Sequence, residues 1–344
     1  MRWTGNAVLA VVLAVGLSPA WASAQAAPGT NINVAMPTGG GKQFWTDRFV
    51  HHDWRIQQNV YTGHCRLLDG NDVRRAWGTY DGCRQEFEQL RRRYDLPPVR
   101  GKVVVTVHGL GCSRQSLAGM GSYLATEGGF TWINFSYAST RDSIDAHGKA
   151  LAQVVGELND AEEVHFVAHS LGNLVVRRYL TERALAEPEA RRPPLGRFVM
   201  LAPPNQGAQL AARLRHCELF RVVLGASGSQ LAVDWDDVEQ RLAIPPCPFG
   251  IVAGGGGDGG LTNPLLEGDD DLVVTVAETR LAGAADFLVV PVRHRFIMDA
   301  PAVRQSTLRF LRHGYFVSPE ARQPISRPEG GRQLLHVERP PTPR

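Results

Sequence analysis

The chain carries little excess charge of either sign: 37 Lys and Arg stand against 34 Asp and Glu, a net of +3 over 344 residues. That balance is too small for an electrostatic grip on nucleic acid, and no aromatic-basic stripe accompanies it. A long apolar run is also missing. The one candidate, Ala7 to Leu17, is too short to cross a bilayer as a helix. The "GGGK" at 39–42 is not a phosphate loop, because Gln43 stands where a Ser or Thr is needed and no helix-forming run follows. His165 and His169 do not make a zinc pair, since their spacing falls on a strand and turn rather than one helix face. No internal repeat and no EF-hand spacing is found.

Both ends differ from the middle. Arg2, the apolar run and the small residues Ala22-Ser23-Ala24 read as a cleavable export signal over 1–24, and no cysteine lies nearby to take a lipid anchor. The Gly-, Pro- and Asn-rich 25–43 reads as a mobile leader, and the Pro- and Arg-rich 318–344 as a loosely ordered tail. A single domain is expected over 44–317. Export implies a periplasmic or secreted location and an oxidising compartment for the five cysteines. Cys65 with Cys83 and Cys217 with Cys247 are the expected bridges, with Cys112 free and other pairings open. Each would stabilise by roughly 2–4 kcal/mol.

From about residue 100, strands and helices alternate. Val103–Val107 is a continuous β-branched run, as in a strand buried on both faces. Further strands are read at 130–135, 164–168, 198–201, 249–253 and 287–292, with helical spacing between them. This rhythm predicts an α/β fold with a mostly parallel central sheet and helices on both faces. Residues 53–95 read as a strand pair and a helix extending the sheet edge. Residues 203–247 show no clear strand and read as a cap-like insertion, either covering a site or merely packing.

"AHSLG" at 168–172 sits where a buried strand passes directly into an amphipathic helix, the setting of a nucleophile elbow. Such a turn requires very small residues two before and two after the serine, and Ala168 and Gly172 satisfy that. The helix starting at Leu171 aims free N–H groups at Ser170. A hydroxyl needs a base, and the base needs a group to orient it. Of eleven histidines, His294 alone follows the last apolar strand and precedes the final helix, which places it at the same sheet edge as Ser170. His108 and His169 are expected to support loop geometry. In "EGDDDLVV" only one carboxylate faces inward; Asp271, abutting the apolar run, is preferred and Asp270 is the fallback. The lesser reading is a cation-binding loop of Asp258 with 269–271. "VHGLGC" at 107–112 turns the chain so that the Leu110 amide, with that of Leu171, donates to an oxyanion.

With "VVVTVHGLG", "VHFVAHSLGN", "VMLAPPNQGA", "GDDDLVVTVAETRL" and "VVPVRH" in this order, residues 100–315 resemble the α/β-hydrolase superfamily in its secreted lipase/esterase-like branch. The order Ser170, Asp271, His294 is that superfamily's order. Its members commonly read Asp-Gly-x-Val where this chain has Asp271-Leu272-Val273-Val274. The resemblance implies cleavage of carboxylic esters through an acyl-enzyme, with no metal or organic cofactor. Acyl transfer or thioester cleavage on the same triad is the alternative, and a non-catalytic binding protein on this scaffold a weaker one. The expected partners are a small-molecule or lipid ester and, transiently, a lipid surface, with no nucleic acid and no stable protein partner.

Overall fold

Six strands rich in Val, Ile and Phe build the centre: β6 (Gly101–Val107), β7 (Thr131–Phe135), β8 (Ala161–His169), β9 (Leu195–Leu201), β10 (Phe249–Gly254) and β11 (Asp286–Val290). The computed structural model describes residues 36–38, 43–186, 192–213, 225–228, 230, 235–256 and 262–327. All six strands run parallel, in the order β11-β10-β9-β8-β6-β7. Alternate side chains feed two cores. Val103, Val105 and Val107 pack with Leu151, Val154, Leu174 and Val175, which lie on α3 (Ile144–Gly156) and α4 (Leu171–Leu185). Val104 faces the other way, onto Met120 and Leu124 of α2 (Ala118–Gly128) and Val303 and Phe310 of the final helix, Pro301–His313. Because each strand is covered on both faces, its sequence is a solid apolar run and not an alternation. Each fully buried side chain of this kind stabilises by about 1.5–3 kcal/mol. This is the doubly covered parallel sheet expected from the sequence.

The region 53–95 does not extend that sheet. β2 (Trp45–His51), β3 (Trp54–Asn59), β4 (Cys65–Leu68) and β5 (Val73–Gly78), with a short β1 (Met36–Pro37), form a separate antiparallel sheet in the order β1-β5-β4-β3-β2. Turns at His52 (φ 51°), Gly63 (φ 69°) and Asp72 (φ 57°) return β3, β4 and β5 each onto its predecessor, and only β1 pairs at long range, with β5. α1 (Tyr80–Arg93) closes a small core of its own around Phe49, Ile56, Leu67 and Phe87. The join to the parallel sheet is apolar at Val50, which packs in that sheet's core, and polar at Asp47. A register shift between Asp47 and Phe49 interrupts β2. There the buried Asp47 carboxylate accepts from Arg55 (2.9 Å), Gln57 (2.8 Å) and the Ser136 amide just past β7 (2.8 Å).

Three further expectations are corrected or bounded. Cys65 and Cys83 are not bridged; both are free thiols packed as small apolar groups in the core under α1. Burial, and then the neighbouring Cys65, pushes the Cys83 thiol up to about 12. Cys112 and Cys247 are also free, and Cys217 lies outside the described residues. Residues 318–327 of the expected loose tail are pinned: the Gln323 amide donates to Asp286 (2.9 Å) and Ile325 exchanges backbone bonds with Gly283 and Ala284. The buried Asp286 carboxylate needs donors, and the tail supplies one. Met36–Pro37, within the expected leader, pairs with β5. The signal segment 1–24, the rest of the leader apart from 36–38 and 43, and the far end of the tail lie outside the described residues. Among the described residues of 203–247 no named strand occurs; short helices span Gln209–Arg213 and Trp235–Glu239.

Candidate active site

Ser170 stands between the end of β8 and the first residue of α4 with φ 53° and ψ −126°, a strained conformation for a residue with a side chain, costing about 1–3 kcal/mol. The surroundings over-determine it. The Ser170 amide donates to Leu201 O (2.9 Å), and its carbonyl accepts from the Asn173 amide (3.0 Å) and from Asn173 Nδ2 (2.9 Å). Gly172 is required by contact: a Cβ there would lie 2.6 Å from the His108 carbonyl oxygen and closer still to that of Val107. Ala168 is fully buried. Asn173 was not anticipated; an Asn on the first turn of an apolar helix, where it is a poor interior residue but a good cap, is the signal that could have found it.

The turn after β6 closes on the elbow. A Cβ at Gly109 would stand 3.0 Å from both Ser170 Cβ and His169 Nδ1. Cys112 N donates back to Gly109 O (3.3 Å), with Gly111 at φ 68° in the left-handed position such a turn requires. The Leu110 amide has no hydrogen-bond partner among the described residues. The Leu171 amide, at the first position of α4, is one of the N–H groups that a helix leaves unpaired.

His294 opens a short 3₁₀ turn after β11, and Asp271 holds it twice. The His294 amide donates to Asp271 O (3.0 Å), and Nδ1 lies 2.8 Å from Asp271 Oδ2. A carboxylate accepts only, so Nδ1 carries the proton and Nε2 is left as the basic nitrogen. Oδ1 of Asp271 accepts from the amides of Val273 (3.0 Å) and Val274 (2.8 Å). Two of the three carboxylates face inward and not one: Asp270 is as fully buried as Asp271, but it turns away from His294 and accepts from the amides of Asn263 (3.1 Å) and Leu272 (2.7 Å). Asp269 accepts from Gly256 N (2.6 Å). These carboxylates are turned onto backbone N–H groups, and among the described residues no group of three potential ligands could hold a metal; Asp258 lies outside them. Leu272, at the position where the resemblance has glycine, takes φ 82°.

His108 and His169 are buried supports. Burial holds His108 down at about 4; its ring stacks on Tyr137 at 4.3 Å and its carbonyl accepts from the Tyr137 hydroxyl at 2.6 Å. Burial, and then His294, keeps His169 well below the usual imidazole range, and its Nε2 donates to His294 O (3.0 Å).

Ser170, His294 and Leu110 line one pocket of about 520 Å³, whose other walls include Ala208, Ala211, Val273, Phe296 and Met298. The Ser170 hydroxyl makes no hydrogen bond among the described residues; it shares this pocket wall with the His294 ring without being bonded to it. Ala208 and Ala211 come from the start of 203–247, so that insertion contributes a wall of the pocket. Cys112, the last residue of the 107–112 motif, also lines it; so does Arg295, which was not anticipated and carries no motif that would have marked it.

A family model described as "Putative serine esterase (DUF676)" matches residues 99–233. No curated protein matches the chain. Among solved structures it is similar to the lin2722 gene product of Listeria innocua, at 17% identity over 62% of this chain and 94% of that one, TM-score 0.44. It is similar to the mature lipase BlEst2 of Bacillus licheniformis, at 16% identity over 61% of this chain and 90% of that one, TM-score 0.44. It is also similar to the phospholipase PlaB of Legionella pneumophila, at 18% identity over 62% of this chain but 59% of that one, TM-score 0.45.

Proposed function

We propose that this chain, an α/β-hydrolase in its fold, cleaves carboxylic esters with Ser170 as nucleophile. One observation carries the reading: a buried carboxylate holds the His294 ring by Nδ1 in the wall of the pocket that Ser170 enters from a strained strand-to-helix turn. In this mechanism His294 Nε2 takes the Ser170 proton as Oγ attacks the ester carbonyl. The oxyanion is met by the amides of Leu110 and Leu171. Collapse expels the alcohol with the proton from His294, leaving an acyl group on Ser170. Water, deprotonated by the same nitrogen, then releases the acid and restores the serine. Asp271 fixes the tautomer and stabilises the imidazolium that forms.

The apolar walls from Val273, Phe296, Met298 and Ala208 favour an apolar acyl group over a charged one. The reading includes export, on the strength of the segment 1–24. Ser170→Ala in the full chain tests the mechanism: loss of nitrophenyl-ester turnover and of fluorophosphonate labelling is expected, and wild-type turnover in that variant overturns it.

A further inference from the structure

We infer that Gln43 and Ser139 form a brace that positions the Leu110 amide; the inference rests on the hydrolytic reading above. Gln43 lies just ahead of β2 of the antiparallel sheet, and both ends of its side-chain amide are used. Nε2 donates to the Cys112 carbonyl (2.9 Å). Oε1 accepts from the Thr140 hydroxyl (2.9 Å), the Thr140 amide (3.3 Å) and the Ser139 hydroxyl (3.4 Å). Ser139, fully buried in the loop after β7, accepts in turn from Gly111 N (3.0 Å).

Of the two residues following Leu110, Gly111 is therefore tied by its amide to this loop and Cys112 by its carbonyl to Gln43, itself bonded to the loop. A second strut comes from the same sheet: Asp72, at the turn between β4 and β5, pairs with Arg114 at 2.6 Å. Neither Gln43 nor Ser139 lines the pocket, so neither is a catalytic residue. They act through the turn. The hydrogen bond from Leu110 to the reacting oxygen gains strength as charge develops there. A small displacement of the turn then costs transition-state stabilisation while leaving ground-state binding in place. This gives the antiparallel sheet a role at the site that no residue in the pocket would disclose.

Steady-state hydrolysis of a nitrophenyl ester by the full-length chain tests it. Gln43→Leu, which removes every brace bond from that side, and Ser139→Ala are each expected to lower kcat about tenfold with KM within about twofold, thermal midpoints falling by only a few degrees and the protein still folded at the assay temperature. The double variant should lose little more than either single one, because both act on one turn. Gln43→Glu keeps the acceptor but sets an anionic oxygen against the Cys112 carbonyl, and should fall with Gln43→Leu. Unchanged kcat in both Gln43→Leu and Ser139→Ala overturns the brace, as does a loss matched in both by loss of folded protein. Ser170→Ala run alongside separates the failures. If it is inactive while the brace variants keep wild-type kcat, only the brace is wrong; if it stays active, the hydrolytic reading fails and takes the brace with it.

Discussion

The two walls of the pocket are held in shape by different balances of the same means. On the elbow side the geometry comes from close backbone approach: Gly172 lies against the carbonyls of Val107 and His108, and Gly109 against Ser170. On the acid side it comes from side chains, with Asp270 and Asp271 gathering backbone amides and Asn263 Nδ2 donating to Leu272 O (2.9 Å). The first wall has no room for an added atom. Each wall carries an unfavourable backbone angle, Ser170 at φ 53° on the first and Leu272 at φ 82° on the second; on the second, where Gly254 also lies close against Val292 O, the carboxylates hold the loop. Gly172→Ala should show the difference at its largest. Its methyl group would meet carbonyl oxygens that cannot swing aside, so a loss of about 3 kcal/mol or more in urea unfolding is expected, with hydrolysis abolished. An unchanged unfolding midpoint would mean the elbow is looser than its contacts imply.

On the acid side the adjacent aspartates should separate cleanly. Asp271→Asn leaves the loop bonded through the amides of Val273 and Val274 but removes the charge facing His294 Nδ1. A fall in kcat on the order of 10⁴ with little change in stability is expected. Asp270→Asn likewise keeps an oxygen for the Asn263 and Leu272 amides and only swaps a charged acceptor for a neutral one, so it should cost about 1 kcal/mol of stability or less, with a far smaller effect on turnover. Steady-state kinetics and denaturation on both variants check this, and the reverse pattern would reassign the acid.

What the sequence disclosed follows the same division. Strands covered on both faces are continuous apolar runs, and a turn that excludes side chains leaves Ala168 and Gly172 around a serine, so the parallel sheet and the elbow were legible residue by residue. The apolar flank Leu272-Val273-Val274 marked Asp271 as a buried carboxylate, but it disclosed neither that Asp270 is buried beside it nor which atoms either would meet. Partnership between strands was not legible. The reading of 53–95 as a strand pair and a helix missed the strand at 45–51 and the separate sheet these strands form, and the polar contact at Asp47 has no local signature. Cysteine spacing could not reveal that Cys65 and Cys83 are unbridged thiols sharing one small core. Composition called 318–327 loose because the need of Asp286 for donors lies far from it in the chain.

The imidazoles behind the elbow sharpen the contrast further, since this wall keeps its titratable groups uncharged. Burial, ahead of every other cause, lowers His108 to about 4 and His147 to about 3, against an ordinary value of ~6.5 in the unfolded chain. Between pH ~6.5 and ~4 the unfolded chain therefore binds protons that the folded chain refuses. The contribution to stability is complete above ~6.5 and is lost as pH falls, at about 1.4 kcal/mol per pH unit for each histidine. Denaturation midpoints measured from pH 7 down to 4.5 should fall accordingly, with about two protons taken up on unfolding near pH 5 from this pair alone. A flat profile would mean that these rings are charged in the fold and that the wall is wetter than it looks.

The smallest effect belongs to Leu272, and it has the opposite sign to Gly172→Ala. At φ 82° a leucine pays roughly 1–2 kcal/mol in backbone sterics that glycine avoids. Glycine gives back part of this, about 0.4–1 kcal/mol, through the freedom it adds to the unfolded chain. Both bonds that hold the residue use its backbone, from its amide to Asp270 and to its carbonyl from Asn263, so Leu272→Gly keeps them. A net gain of up to about 1 kcal/mol in unfolding free energy is expected, with kcat and KM unchanged. A loss of stability instead would show that the half-buried leucine side chain, and not the aspartate network, sets the course of the acid loop.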